Sequence, residues 1–235
     1  MKFIHYSRVL TLALLGAIFP TATTSAGALN ISNPFGSFNM HAKSLQEMRW
    51  DTVIQQKYDF SCGSAAVATL LTYHYNLPTD EEQVFQAMIA VGDRAKIQQN
   101  GFSMLDMKRY MDQRGLRTDG FKITLDKLIK IGLPGITLIN TQGYKHFVVV
   151  KGIDENHVLI ADPAVGSVVV PRAYFETLWN GAILGARSYA EVAKINFNSD
   201  RDWRIRPRAP IDKGMDRAGL GTMLLNLPGH NELGR

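Results

Sequence analysis

The chain contains 235 residues, of which 46% are hydrophobic, 20% charged and 9% aromatic. This ordinary globular composition excludes wholesale disorder, collagen and a long coiled coil. The formal net charge is only +5, and a single cysteine, Cys62, excludes an intramolecular disulfide or a zinc site built on two thiolates.

The N-terminus has the three parts of a secretory signal peptide. Lys2 and Arg8 supply positive charge, the 11 residues of Val9–Phe19 are apolar, and small residues follow at the cleavage position. We predict cleavage after Ala28, with Ala26 as the second choice. An apolar run this short disfavours an uncleaved membrane anchor, because crossing a bilayer takes about 20 apolar residues.

We therefore expect an exported, periplasmic protein without stable membrane insertion. Removal of residues 1–28 leaves 24 cations against 21 anions, a net charge of +3. That charge is too small to predict binding to nucleic acid or to a membrane surface. In an oxidising compartment, an unpaired cysteine is either buried and inert or retained for its reactivity.

The first half of the chain has mostly helical patterns. Residues 29–50 are polar and are predicted to form an extended lead-in. Apolar residues at helical spacing predict a helix over Cys62–Tyr75, which Asn76 and Pro78 end. A capping box, Thr79–Glu82, opens a second helix.

A polar segment and two shorter helices come next. Residues 92–101 are rich in Gln, Asn and Gly and are predicted to form a loop. Ser103 opens a third helix that ends at Gly115, and Thr124–Ile131 is a fourth that ends at Gly132.

The second half of the chain changes to strand-like patterns. Short β-branched runs, punctuated by Gly, Pro, Asn or Asp, predict antiparallel strands at Gly135–Ile139, His146–Val150, Val158–Ala161 and Ser167–Val170. One more helix is predicted over Pro171–Trp179, and residues 182–195 are expected to hold one or two final strands.

Helices followed by strands predict an α+β fold, with an N-terminal helical half packed on an antiparallel sheet. We place the domain at residues 51–195. Residues 196–235 are predicted to form an extended, basic, proline- and glycine-containing tail.

Cys62 is the first candidate for chemistry. It lies at the predicted start of a helix, where unpaired N–H groups and the helix dipole stabilise an anion and so favour the thiolate. Gly63 would let a substrate backbone approach, and the N–H of Cys62 could bind an oxyanion. The alternative is a small apolar residue in an Ala-rich core helix, and this position alone does not separate the two.

A thiol nucleophile needs a base and a residue that orients the base. His146 opens one predicted strand and Asp162 ends the next, so a turn near residues 154–156 would bring both to the same end. Alternatively, Asp162 caps the turn before Pro163 and His146 is an edge residue. Together with an exported lone cysteine, the triad of Cys62, His146 and Asp162 is the preferred interpretation.

Several motifs in order resemble the family-39 cysteine peptidases. Gln56, five further residues, Cys62 followed by Gly, and an Ala-rich helix match the family's first motif. His-Phe-Val-Val-Val at His146 and Ile-Ala-Asp-Pro around Asp162 resemble its later motifs in order and spacing. These papain-like enzymes include domains that remove double-glycine leader peptides from bacteriocins. The resemblance covers roughly residues 50–185.

The resemblance implies a papain-like peptidase fold and assigns four roles. Cys62 would be the nucleophile, His146 the general base and then acid, and Asp162 the orienting residue. Gln56 would donate a hydrogen bond to the oxyanion. The choice of Gln56 over Gln55 rests only on the family's six-residue offset to the cysteine.

Some features depart from the bacteriocin-type members. Many of them have Asp directly before the cysteine, where this chain has Ser61. Their domain is usually fused to a membrane transporter, whereas this chain has a predicted signal peptide and lacks the G-x-x-x-x-G-K-[ST] motif. The chain is more similar to stand-alone exported members associated with functional-amyloid or fibre secretion systems.

The expected partner is therefore a protein or peptide substrate, such as a fibre subunit or a secretion-system component, and not nucleic acid. No metal or other cofactor is expected, because the histidines are scattered and no H-E-x-x-H motif occurs. Two alternatives stay open: a low-turnover peptidase-like module that binds a client, and aminolysis rather than hydrolysis of the thioester.

Overall fold

The computed structural model describes residues 28–33, 36–41 and 43–206. The chain divides into two units, Met1–Lys43 and Ser44–Arg235. In the first, β1 (Ala28–Asn33) pairs antiparallel with β2 (Gly36–His41) as a hairpin. The predicted extended lead-in, residues 29–50, is therefore paired over much of its length, and its last six residues form a helix, Leu45–Trp50, that a capping box at Ser44 opens. Nearly all of the predicted signal peptide, and residues 207–235 of the predicted tail, lie outside the described residues.

The second unit begins with a largely helical half. Its helices, and two others farther along the chain, are α1 (Leu45–Trp50), α2 (Cys62–Thr69), α3 (Glu81–Val91), α4 (Arg94–Asn100), α5 (Met104–Gln113), α6 (Leu125–Ile131), α7 (Arg172–Leu178) and α8 (Ala190–Asn196). The helical half comprises α1 to α5 and α6, although α6 packs on the opposite face of the sheet, and α7 and α8 are the two helices farther along the chain. A π-helical turn, Leu70–His74, continues α2, and a 3-10 helix, Asp202–Ile205, follows α8. Among the described residues, no helix is long and apolar enough to cross a membrane.

The sheet is antiparallel throughout. Its strands are β3 (Thr118–Lys122), β4 (Gly135–Thr141), β5 (Tyr144–Ile153), β6 (His157–Asp162), β7 (Gly166–Pro171) and β8 (Trp179–Ala186). Their order is β3-β8-β4-β5-β6-β7. This architecture confirms the predicted α+β fold, with a helical half packed on an antiparallel sheet.

Hydrogen bonds confirm two of the predicted helix starts and correct a third. Ser103 forms a capping box at α5, and the Thr124 hydroxyl accepts an N–H in the first turn of α6. Gly132 ends α6 in the left-handed region, with φ 67°. Asp80, and not Thr79, caps α3, because the Thr79 hydroxyl donates to a backbone carbonyl instead.

The segment 92–101, predicted to be a loop, contains helix α4. Asp93 caps this helix, and Gly101 ends it with φ 73°. Only Ile97 in the helix is buried. A helix with one buried position has no apolar periodicity for the sequence to display.

Three more segments differ from expectation. The edge strand β3 was not predicted, and its last three residues are exposed. Residues 182–195 hold one strand, β8, followed by α8 rather than by a second strand. Residues 198–206, assigned to an extended tail, instead contact β5, where the Asn198 N–H donates to the Lys151 carbonyl at 2.9 Å.

Strand β5 is buried on both faces and anchors the unit. Phe147 and Val149 belong to the core between the sheet and the helical half. Val148 and Val150 belong to a second core on the opposite face, which α6 and α7 cover. Burial on both faces explains the continuous apolar run in the sequence, and it gives His146 a rigid support.

Candidate active site

Cys62 is the first residue of α2, as predicted. All eight residues of this helix are buried, and its small side chains let it lie within the core against the sheet. The hydroxyl of Ser61, the preceding residue, turns back to the Tyr58 backbone with contacts of 3.0 and 3.1 Å. It therefore leaves the first-turn N–H groups of α2 to stabilise negative charge near the sulfur.

His146 and Asp162 meet at one end of two neighbouring strands, as predicted. The pairing of β5 with β6 sets Val149 opposite Ala161 and brings the two side chains to the same edge. His146 Nε2 lies 2.7 Å from Asp162 Oδ1. The same oxygen accepts the N–H of Ala164 at 2.8 Å, so the carboxylate both holds the imidazole and caps the turn.

The imidazole of His146 is poised to carry a charge. Burial by itself would lower the pKa of His146, but the hydrogen bond with Asp162 and the proximity of Cys62 raise it to about 9. Nδ1, the nitrogen that Asp162 does not occupy, is buried without a hydrogen-bond partner in the described part of the chain. The hydrogen bond with Asp162 therefore favours the protonated ring, and Nδ1 is the nitrogen left to exchange a proton.

A cleft of about 480 Å³ opens over Cys62, a size within the range of ligand sites. Its walls come from the loop before α2, the end of α4 and the turn between β4 and β5; they include Asp59, Phe60, Gln99, Asn100, Gly101, Gly143, Tyr144 and Lys145. Cys62 is only 7% exposed, so the thiol lies at the bottom of this cleft.

Tyr144 is a site residue that the sequence analysis missed. Its ring stacks on the imidazole of His146, with centroids 5.7 Å apart and an angle of 25° between the planes. Burial, followed by the negative charges of Cys62 and Asp162, raises the pKa of its phenol. Tyr144 lies two residues before His146 on a strand, and this spacing could have indicated that the two share a face.

Gln56, the predicted oxyanion donor, is half-buried, whereas Gln55 is exposed. Its backbone N–H donates to Pro163 at 3.0 Å, which ties its segment to the residue after Asp162. Its side-chain Nε2 donates to Tyr58 O at 3.0 Å and more weakly to Asp59 O at 3.5 Å. The weaker contact is the one that an oxyanion could replace, so the assigned role stays a prediction.

Gly63 has a packing role that the sequence analysis did not predict. It is buried, and a Cβ at this position would lie 3.0 Å from the Cβ of Phe102. The missing side chain therefore makes room for the packing of Phe102, and the approach of a substrate backbone stays a prediction.

Neither His74 nor His157 lines the cleft over Cys62. His74 is buried at the end of the π-helical turn, and His157 contacts Asp154 at 3.2 Å. Across the described ranges, no group of three or more His, Cys, Asp or Glu side chains could hold a metal ion.

Comparison with known proteins identifies the family. The Peptidase C39 family model matches residues 50–190. The chain is 41% identical over 165 residues to "Probable functional amyloid protease FapD" of Pseudomonas fluorescens, which covers 68% of this chain and 73% of that protein. It is 39% identical over 178 residues to the protein of the same name from Pseudomonas aeruginosa, which covers 75% and 78%.

Solved structures of peptidase domains are also similar. The peptidase domain of Streptococcus ComA, a bi-functional ABC transporter, has a TM-score of 0.49 and 19% identity, covering 57% of this chain and 96% of that one. A double glycine motif protease from an AMS/PCAT transporter, in complex with the leader peptide, has a TM-score of 0.48 and 30% identity, covering 57% and 89%.

The family model spans more than half of the chain, and the two curated relatives exceed 30% identity over most of their own length. The chain belongs to the Peptidase C39 family and is a cysteine peptidase that acts on a protein substrate.

Proposed function

We propose that this protein is an exported endopeptidase that cleaves a secreted or periplasmic protein through a triad of Cys62, His146 and Asp162. The observation that carries the proposal is the 2.7 Å contact between His146 Nε2 and Asp162 Oδ1, on an imidazole whose pKa Cys62 also helps to raise. An imidazolium held in this way stabilises a neighbouring thiolate, which is the nucleophilic form of cysteine.

The reaction proceeds through a thioester. The thiolate of Cys62 attacks the peptide carbonyl carbon, and the oxyanion that forms accepts hydrogen bonds from the Cys62 N–H and from Gln56 Nε2. His146 donates its proton to the leaving amine. It then removes a proton from water, which hydrolyses the thioester and releases the acid product.

The proposed place of action and the substrate rest on the sequence and on the relatives. The pattern of a signal peptide over residues 1–28 supports export to the periplasm. Two relatives at about 40% identity are named functional amyloid proteases, which supports a fibre subunit or another component of a fibre secretion system as the substrate.

The test is the alkylation rate of Cys62 in mature protein, measured between pH 5 and pH 9 with iodoacetamide. An ordinary thiol, with a pKa of about 8.5, reacts slowly below neutrality. We expect labelling to stay fast at pH 6 and to collapse in His146→Ala. Slow labelling with the profile of an ordinary thiol in both proteins would contradict the proposed triad.

A further inference from the structure

Strand β5 carries a second buried ionisable side chain, far from the cleft. Lys151 is 0% exposed. It follows Phe147 and Val149 at alternate positions, on the face that packs against the helical half. A lysine is almost never fully buried unless its charge is paired, so this core position requires specific partners.

The ammonium of Lys151 has three oxygen partners, one for each proton. It donates to the hydroxyls of Thr52 at 2.6 Å and Ser167 at 2.9 Å, and it pairs with Asp202 Oδ1 at 3.1 Å. The carboxylate of Asp202 is itself buried and also accepts the Thr52 hydroxyl at 2.6 Å. These contacts form one closed polar network in the core.

The charge balance of the network depends on Asp202. Burial lowers the pKa of Lys151, and the carboxylate of Asp202 is the foremost of the groups that oppose this. The neighbouring His74 does not help, because burial and the charge of Lys151 lower its pKa to about 4 and keep it neutral. Without Asp202, the ammonium would lose its ion pair inside the core.

The partners of Lys151 come from the same segments as the proposed triad. Thr52 precedes Gln56 by four residues on the segment that leads to Cys62. Lys151 follows His146 by five residues on β5, and Ser167 follows Asp162 by five. Asp202 comes from beyond residues 50–190, the part that the family model matches. One ammonium therefore joins the three active-site segments to a fourth.

The segment 198–206 is built to dock at this end of β5. A β-bulge falls between Val150 and Gly152. The side chain of Asn198 accepts the Ile153 N–H at 2.6 Å and donates to the Ile153 carbonyl at 3.1 Å. A Cβ on Gly152 would collide with that side chain. Arg206 adds an ion pair with Asp154 at 2.8 Å.

We propose that Lys151 and Asp202 are positioning residues of the peptidase site. In this chain, segment 198–206 is therefore required for the geometry of the active site. The pair holds the three active-site segments in register, so that the hydrogen bond between His146 and Asp162 keeps its geometry. This inference rests on the proposed roles of Cys62, His146 and Asp162.

The test uses three variants of the full mature chain. Asp202→Asn keeps the size of the side chain and removes its charge, and Lys151→Met with Asp202→Asn removes both charges. Glu191→Gln is the control, because Glu191 forms an exposed ion pair at 2.7 Å with Lys194 in the same C-terminal region. The readouts are the Tm and the NMR titration of the His146 imidazole well below the Tm, with His146→Gln used to assign the signal.

The hydrogen bond with Asp162 and the nearby Cys62 outweigh burial and raise the pKa of His146 to about 9, so we expect the wild type to titrate near that pH. We expect Asp202→Asn to lower the Tm and to shift the titration of His146 down by about one pH unit or more, because loosened segments weaken its contacts. The double variant should recover most of the Tm, since methionine fills the lysine site without a buried charge. Its His146 should still titrate below the wild-type value, because no ammonium joins the active-site segments. The control should change neither the Tm nor the titration.

An Asp202→Asn protein with a lower Tm but an unshifted His146 would make Asp202 a stabilising residue only, and this would overturn the inference. If the single variant does not fold, the double variant decides, because the inference requires its His146 to titrate below the wild-type value. A folded double variant that titrates like the wild type would overturn the inference. The NMR titration of His146 can be measured whether or not the protein cleaves a substrate. A wild type that cleaves no protein would contradict the proposed function, whereas a wild type that cleaves protein beside an Asp202→Asn variant with an unshifted His146 would overturn this inference alone.

Discussion

The two ends of strand β5 each bury a basic side chain, and the pKa values of these side chains shift in opposite directions. Each carries a buried basic side chain paired with an aspartate: His146 with Asp162 at 2.7 Å, and Lys151 with Asp202 at 3.1 Å. At the His146 end, negative neighbours outweigh burial and the pKa rises to about 9. At the Lys151 end, burial outweighs them and the pKa falls.

The difference lies in what is left unpaired. The ammonium of Lys151 has a partner for every proton, in a network closed to solvent. The imidazole of His146 has Asp162 on one nitrogen and, within the described chain, no hydrogen bond on the other. A saturated buried charge holds elements together, whereas an unsaturated one beside a cleft has a proton to exchange.

Cys62→Ala should have the largest effect, and it should affect activity alone. We expect cleavage of the protein substrate to fall to background, because the nucleophile is gone. The Tm should stay nearly unchanged, since alanine fits the helix of small residues around it. Cleavage at the wild-type rate would show that the reaction does not take place at the His146 end of β5.

Asp162→Asn should have the second-largest effect. We expect cleavage to fall by about 10³–10⁴, as for other triads, because a neutral amide does not stabilise the imidazolium and can favour the wrong tautomer. The measurements are the kcat and the Tm of the variant, each compared with the wild type. A loss of stability without a loss of kcat would make Asp162 a turn cap alone.

The pH dependence of stability gives that variant a second readout. The pKa of His146 is raised from 6.5 to about 9 in the folded protein. Its stabilising contribution is therefore fully present below about pH 6.5 and is lost as the pH rises towards about 9. We expect this loss in wild-type unfolding curves and a much smaller one in Asp162→Asn, where the imidazolium lacks its carboxylate.

Gln56→Ala should lower kcat by about 10²–10³ if its Nε2 binds the oxyanion. The matched control is Gln55→Ala, because Gln55 is adjacent but exposed. Equal rates for the two variants would limit Gln56 to holding the loop carbonyls of Tyr58 and Asp59, and would leave the backbone N–H of Cys62 as the principal donor.

Gly152→Ala should have the smallest effect, and it should appear first in stability. The added methyl group collides with the side chain of Asn198 and strains the docked segment 198–206. We expect the free energy of unfolding to fall by about 1–3 kcal/mol in urea. Unchanged stability would mean that the Lys151 end of β5 tolerates movement. This would contradict the view that the Lys151 end holds elements together while the His146 end reacts.

More of the site could be predicted from the sequence than of the helices and strands around it. Strand alternation and the hairpin turn sufficed to bring His146 and Asp162 together, because register is a local property of a buried hairpin. Family resemblance supplied Gln56, which bottom-up chemistry could not separate from Gln55.

The remaining features depend on tertiary contacts. Helix α4 has one buried residue, so no periodicity revealed it. The lysine in the apolar run of β5 was a visible anomaly, but its partner, Asp202, lies 51 residues away and had no motif to mark it. Long-range charge pairing of this kind leaves only the unexplained polar residue as a signal in the sequence.

The position of Cys62 at the bottom of its cleft has a consequence for oxidation. A disulfide needs the Cα atoms of its two cysteines within about 7 Å of each other. The walls of the cleft oppose such an approach by the backbone of a folded protein to a thiol only 7% exposed, whereas a small oxidant such as hydrogen peroxide can enter. If the protein is exported to an oxidising compartment, as we propose, sulfenic acid is the expected product at this sulfur, and it is reversible, whereas mixed disulfides with folded proteins are disfavoured.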